Sequence, residues 1–269
     1  MQTEYESLDG LNDTARRGLR NLLLACADTK LLLGYHYGEW TFGTPELEAA
    51  VASCSLSQSE LGHLRLFQAV LKKHFDDDPD PLVERREPEA FANVAYLDRP
   101  IERWTGFVAM NAVVDLALTR MLHSLQGSAF RPLRMSIDKM LDEERYHIHH
   151  GRGWFRTLAG KEAEVRDRLQ AHVGAALTSV ETWFGPEGDQ EDSALVEAGI
   201  KAQPNPVLFQ AVVEDLRSLS TDLPVDPGAA APASFDGWNP ATRRAGTGGP
   251  DQQILFHLRG SKNELFKLG

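Results

Sequence analysis

The chain has 269 residues, 42% of them apolar, which suits one helical domain with additions or at most two small domains, and leaves enough apolar material for a sizeable core. A formal net charge of −11 without a clustered stripe of Lys and Arg excludes nucleic-acid binding and disfavours an anionic membrane, while a local basic pocket for an anionic substrate stays compatible with it. Met1 to Glu6 lack the basic and apolar regions of a signal peptide, and no apolar run is read as reaching about 18 residues. Cys26 and Cys54 give no disulfide framework and read as small buried hydrophobes. A cytoplasmic protein with no membrane span is expected.

The first helix is predicted from about Thr14 to Glu39. Thr44-Pro45-Glu46 reads as N-cap, N1 and acidic first turn of a second helix that reaches about His74. The run Asp76-Asp77-Asp78-Pro79-Asp80-Pro81 breaks it, and a short helix is expected over 88–97. A third long helix starts near Pro100 and ends at Gly127, a fourth runs from Ser128 to about Leu158, and a fifth from Lys161 to Phe184. Two shorter helices follow, near 192–201 and 206–219. Residues 1–221 form the helical domain. From Asp222 the composition turns to Pro, Gly and Ala, so residues 222–269 read as an extended tail that wraps a surface or a partner or is partly disordered, with Ile254 to Phe266 docking again. No β-strand pattern stands out.

An amphipathic helix buries positions three and four apart, and polar residues intrude on these stripes in a repeated way. The second helix has Leu56, Glu60, His63, Leu64 and Phe67 on its buried side; the fourth has Ile137, Met140, Leu141, Glu144, His147 and Ile148. Each thus carries Glu-x-x-His toward the core, and Asp115 lies on the apolar face of the third helix. Buried carboxylates must be paired or bind a metal. A single Glu-x-x-His motif is more often a solvated pair, but two of them joined by a buried Asp on an intervening helix form the dimetal–carboxylate constellation of a helical bundle. The expected fold is all-α: a ferritin-like four-helix bundle with extra C-terminal helices and the extended tail.

The first helix, which should supply a fourth carboxylate, has Lys30 on its stripe of Leu23, Cys26, Ala27, Leu33 and Tyr37. Asp28 lies about 200° around from Lys30. His36 reads as a hydrogen-bonded structural histidine. His149 and His150 read as surface or supporting residues, Glu143 as a solvated neighbour, and Tyr37 and Tyr146 as core packing.

At these residues the sequence resembles the phenylacetyl-CoA epoxygenase family, most closely its catalytic di-iron subunit. Ser59-Glu60-Leu61-Gly62-His63, Val113-Val114-Asp115 and Asp142-Glu143-Glu144-Arg145-Tyr146-His147 carry the likeness, with Trp183-Phe184-Gly185-Pro186 and Leu223-Pro224-Val225-Asp226-Pro227 as later landmarks. It spans roughly residues 20–230. The resemblance implies metal ligation by Glu60, His63, Asp115, Glu144 and His147, with Glu60 and Glu144 bridging. The sixth ligand, a first-helix Glu in the family, falls on Lys30 in an ungapped match through Trp40; a slip of two would make it Asp28. Leu31-Leu32-Leu33-Gly34, Gly38-Glu39-Trp40 and Pro45-Glu46-Leu47-Glu48 also resemble the family's non-catalytic partner, which shares the fold and lacks the ligands.

Three carboxylates and one ammonium leave two negative charges, which one divalent ion balances. Lys30 would then stand in for one metal, paired with Glu60. A neutral Lys30 acting as ligand or catalytic base, or one snorkelling away from a weak di-iron site, are the alternatives. The first functional expectation is a non-haem iron oxygenase with one or two ions, iron or else manganese, acting on an aromatic or acyl, CoA-linked substrate with electrons from a separate reductase. The second is a non-catalytic scaffold subunit with a paralogous partner; a ferritin-like iron carrier is a weaker third. Either of the first two implies a homo- or hetero-oligomer.

Overall fold

The computed structural model describes residues 4–79, 83 and 85–260. Helix α1 spans Asp13–Glu39 and is capped by the Asn12 side chain, which accepts from the Ala15 N–H at 2.8 Å. From Leu22 to Gly34 every residue of α1 is buried, so this helix is the central post of the bundle. Helix α2, Leu47–Phe75, returns beside it. Two serines of α2 fix that return: Ser53 donates to the Tyr37 carbonyl and Ser57 to the Gly34 carbonyl, both at 2.7 Å. Gly34 lets the helices close, since a Cβ there would lie 3.1 Å from Leu61 and 3.4 Å from the Glu60 Cβ.

Helix α3, Trp104–Leu125, has 22 residues and is apolar enough by length and composition to cross a membrane, which corrects the expectation that no run reaches that length; 94% of its apolar window is buried inside the bundle. Its middle, Met110–Asp115, is a π segment. Helix α4, Arg131–Ala159, pairs with it, and α5, Ala163–Phe184, completes the core layer. Helices α6, Gln190–Glu197, and α7, Asn205–Leu219, cover one end of α1 and one side of α3. The architecture is the expected all-α, ferritin-like bundle.

Several local expectations differ. Helix α2 starts at Leu47 with Glu46 as its N-cap, because the Thr44 hydroxyl donates to the Glu46 carbonyl instead of capping an N–H. Residues 88–97 hold two 3₁₀ turns, Pro88–Ala90 and Ala95–Leu97, rather than one helix. Cys26 is buried, but Cys54 is exposed on the outer side of α2.

The segment after α7 follows the bundle surface. Trp238 donates to the Thr182 carbonyl at 2.8 Å and lies over Gly185, where a Cβ would come within 2.5 Å of the indole. Gly185 also has φ +92°, so only glycine satisfies both the turn and the contact. A short hairpin, β1 Trp238–Asn239 with β2 Arg244–Ala245, departs from the strand-free expectation; two-residue strands carry no alternation to read. It delivers Arg243, which donates to the Trp183 carbonyl, and Arg244, whose fork holds both Asp98 oxygens at 2.5 and 2.9 Å and also Asn93. Helix α8, Gln252–Leu258, then buries Ile254 and Leu255. The remainder of the expected docking segment, 261–266, lies outside the described residues.

Removing the Arg244 fork leaves Asp98 with the Asn93 amide, at 2.9 Å, in place of its guanidinium partner. Arg244→Ala is expected to cost about 3–5 kcal/mol in urea unfolding and to make the 222–250 segment cleavable at protease levels that spare the wild type.

Candidate metal centre

The five residues expected as ligands converge in the bundle's interior, and all are buried. Glu60 and His63 come from α2, Asp115 from α3, Glu144 and His147 from α4. Lys30 of α1, fully buried, projects into their midst. Its Nζ donates to Glu144 Oε1 at 2.6 Å, contacts Glu60 Oε2 at 2.7 Å and lies 3.6 Å from Asp115 Oδ1. The approach to Glu60 is an ion pair rather than an aligned hydrogen bond. Asp28 faces away: Arg86 forks onto it and the Ala92 N–H donates to it at 2.9 Å, so it anchors the loop after α2 and takes no part in the cluster.

His147 is the second basic side chain among the carboxylates. Its Nδ1 lies 2.8 Å from Asp115 Oδ2 and 3.2 Å from Glu60 Oε1. Burial pushes its pKa down, yet Asp115 and Glu60 outweigh that and raise it well above 6.5, which favours the protonated ring. Lys30 follows the same logic: burial opposes its charge, and Glu144, Glu60 and Asp115 together raise its pKa. Burial would raise all three carboxyls. Asp115 is nevertheless held low by His147, Lys30 and the Tyr37 hydroxyl, and Glu144 is held low chiefly by Lys30. At Glu60 burial wins and its pKa rises.

Supporting contacts complete the cluster. Tyr37 packs in the core as expected, and its hydroxyl also donates to Asp115 Oδ2 at 2.7 Å, whereas Tyr146 is 75% exposed and packs in no core. Thr119 donates to Glu144 Oε2 at 2.8 Å. Glu143, expected as a solvated neighbour, meets His63 Nε2 at 2.9 Å and links the cluster to the surface. Asn111 donates to the His147 carbonyl at 3.1 Å and meets His150 Nδ1 through its side-chain oxygen at 2.8 Å. Asn111 and Asp115 both lie in the π segment, a distortion found often where a helix must aim polar groups inward. Tyr37, Asn111 and Thr119 were within reach of the sequence, since Tyr37 is seven residues from Lys30 and Asn111 and Thr119 flank Asp115 at four residues. His36, as expected, is structural, meeting the Leu97 carbonyl at 3.0 Å.

Glu60, Asp115, Glu144 and His147 each present a ligand atom within 4.8 Å of the others, a set able to hold a metal. Among the described residues, Glu60 Oε1, Asp115 Oδ1 and His147 Nε2 have no aligned hydrogen-bond partner. Two ions do not fit beside Lys30. Metal–oxygen bonds are about 2.0–2.2 Å, so an ion bridging Glu60 and Glu144 would occupy the space of the ammonium. A single ion between Glu60 and Glu144 would likewise require Lys30 to withdraw.

Fold and cluster together define a ferritin-like bundle of the carboxylate–histidine class. Residues 1–233 match the family described as phenylacetic acid catabolic protein, and the chain belongs to that family. It is 26% identical over 182 residues to one of the subunits of 1,2-phenylacetyl-CoA epoxidase from Escherichia coli (strain K12), an alignment covering 67% of this chain and 73% of that one.

The pH dependence follows from His147. Its raised pKa contributes stability that is fully present below the unfolded value of about 6.5 and is lost as pH rises through the higher folded value. The wild type should therefore lose more of its melting temperature than His147→Gln does on going from pH 6 to pH 9. Equal losses would mean that the ring is neutral in the folded protein.

Proposed function

We propose that this chain is a metal-independent, ferritin-like subunit of a multicomponent oxygenase of the phenylacetyl-CoA type, in which Lys30 and His147 supply the positive charge that metal ions supply in a catalytic bundle. The observation that carries this is the position of Lys30 Nζ, 2.6 Å from Glu144 and 2.7 Å from Glu60. The relative in Escherichia coli is by name one subunit of an epoxidase, which supports a role within an assembly. In this reading a paralogous chain carries out oxygen insertion, with a reductase supplying electrons, and the present chain contributes a rigid bundle.

The second reading is an iron oxygenase with a single ion. It draws on the four ligand atoms gathered within 4.8 Å and on the Glu60 and Asp115 oxygens that no aligned hydrogen bond satisfies. Glu60, Asp115, Glu144 and His147 would hold the ion, which would supply dioxygen activation. Lys30 would then have to swing out of a fully buried position, abandoning both its close carboxylates. Breaking a buried pair in this way costs about 3–5 kcal/mol, which the metal would have to outweigh.

Metal analysis and melting curves separate the readings. The wild type is expected to purify without stoichiometric iron or manganese and to melt at the same temperature with and without chelator. Lys30→Met should lose about 3–5 kcal/mol of stability. Lys30→Glu, which supplies the fourth carboxylate and sixth ligand, should bind divalent iron or manganese and become chelator-sensitive. Stoichiometric iron in the wild type, with a melting point several degrees lower in chelator, would establish the oxygenase reading instead.

A further inference from the structure

Helix α2 has one buried face and one open face, and the open face is nearly free of charge. Between Ala49 and Leu64 the sole ammonium, guanidinium or carboxylate is Glu60, which points into the core. At about 100° per residue, Leu47, Val51, Cys54, Gln58, Leu61 and Arg65 fall in one narrow stripe. Leu47 is 75% exposed and Val51 63%, and Cys54 is exposed as well. In a chain of net charge −11, a largely apolar outer stripe whose single charge, Arg65, stands at one end has the composition of the centre of an interface with a charged rim.

Gly62 adds a second, independent sign. It stands inside α2, where a Cβ would meet nothing within 4 Å, so no contact inside the molecule calls for glycine. Glycine is the poorest helix former after proline. A half-buried glycine on the edge of an apolar stripe, with open space where its Cβ would be, makes a socket for a side chain arriving from outside.

We propose that this stripe seats a second copy of the chain, with the two α2 helices antiparallel across a twofold axis between Leu56 and Ser57. The occupant follows from self-complementarity. In that register Val51 of one copy faces Gly62 of the other, so each valine enters a glycine socket. The same register sets Glu48 opposite Arg65, giving two ion pairs that close the rim. Elsewhere the acidic surface repels its own copy; on this face two copies meet without like-charge cost. The proposal is independent of whether the core holds an ammonium or an ion.

Sedimentation velocity on the full chain tests it, with melting temperature as the control for folding. A dimer is expected, and Val51→Glu should weaken it by about a hundredfold or more. Glu48→Arg and Arg65→Glu should each weaken it, and the double variant should recover most of the loss. A short bis-maleimide should join two wild-type chains through Cys54, since Cys26 is buried, and Cys54→Ser should abolish the product. A monomer at the highest soluble concentration, association only with a different chain, or a dimer indifferent to these variants would overturn the proposal.

Discussion

Three carboxylates enclosed in the middle of a helical bundle lose their hydration and repel one another, so a positive charge has to lie among them. Two unit charges about 4 Å apart interact by about 4 kcal/mol at the effective dielectric suited to protein sites, and neither burial nor packing offsets that for a triad. In this chain the ammonium of Lys30 meets Glu60 and Glu144 directly, with the His147 ring held between Asp115 and Glu60. Glu60 lies near both cationic side chains, and burial still raises its pKa against the pull of Lys30 and His147. Two basic side chains, Lys30 and His147, thus stand among the three acids.

The surrounding fold serves that compensation. Gly34 and the Ser53 and Ser57 hydroxyls draw α2 against α1, which brings Glu60 within reach of Lys30. The π segment turns Asp115 and Asn111 inward together. Tyr37 and Thr119 use up carboxylate lone pairs that a metal would otherwise take. Each of these contacts restrains the carboxylates around an ammonium that has all three acids within 3.6 Å.

The sequence carried the bundle because long apolar stripes with interrupted caps are read directly from periodicity, and it carried the cluster because Glu60, His63, Asp115, Glu144 and His147 interrupt those stripes. Lys30 was visible for the same reason. What it did not carry depends on contacts between elements. Glu143 lies about 100° from Glu144 on one helix, and only the approach of α2 brings His63 to it. Asp28 lies in an apolar stretch, and its pairing with Arg86 needs the loop to return. Cys54 looked buried because the outer face of α2 has a core-like composition, which one sequence cannot distinguish from a core.

The protonation and accessibility of the Lys30 side chain test the central claim most directly. Nitrogen-detected NMR of the labelled lysine Nζ groups, assigned with Lys30→Met, should give a protonated, slowly exchanging ammonium for Lys30 at pH 8. That signal should persist unbroadened in the presence of one equivalent of manganous ion. Loss of the signal at one equivalent, or a neutral amine in its place, would contradict the account and return the centre to a metal site.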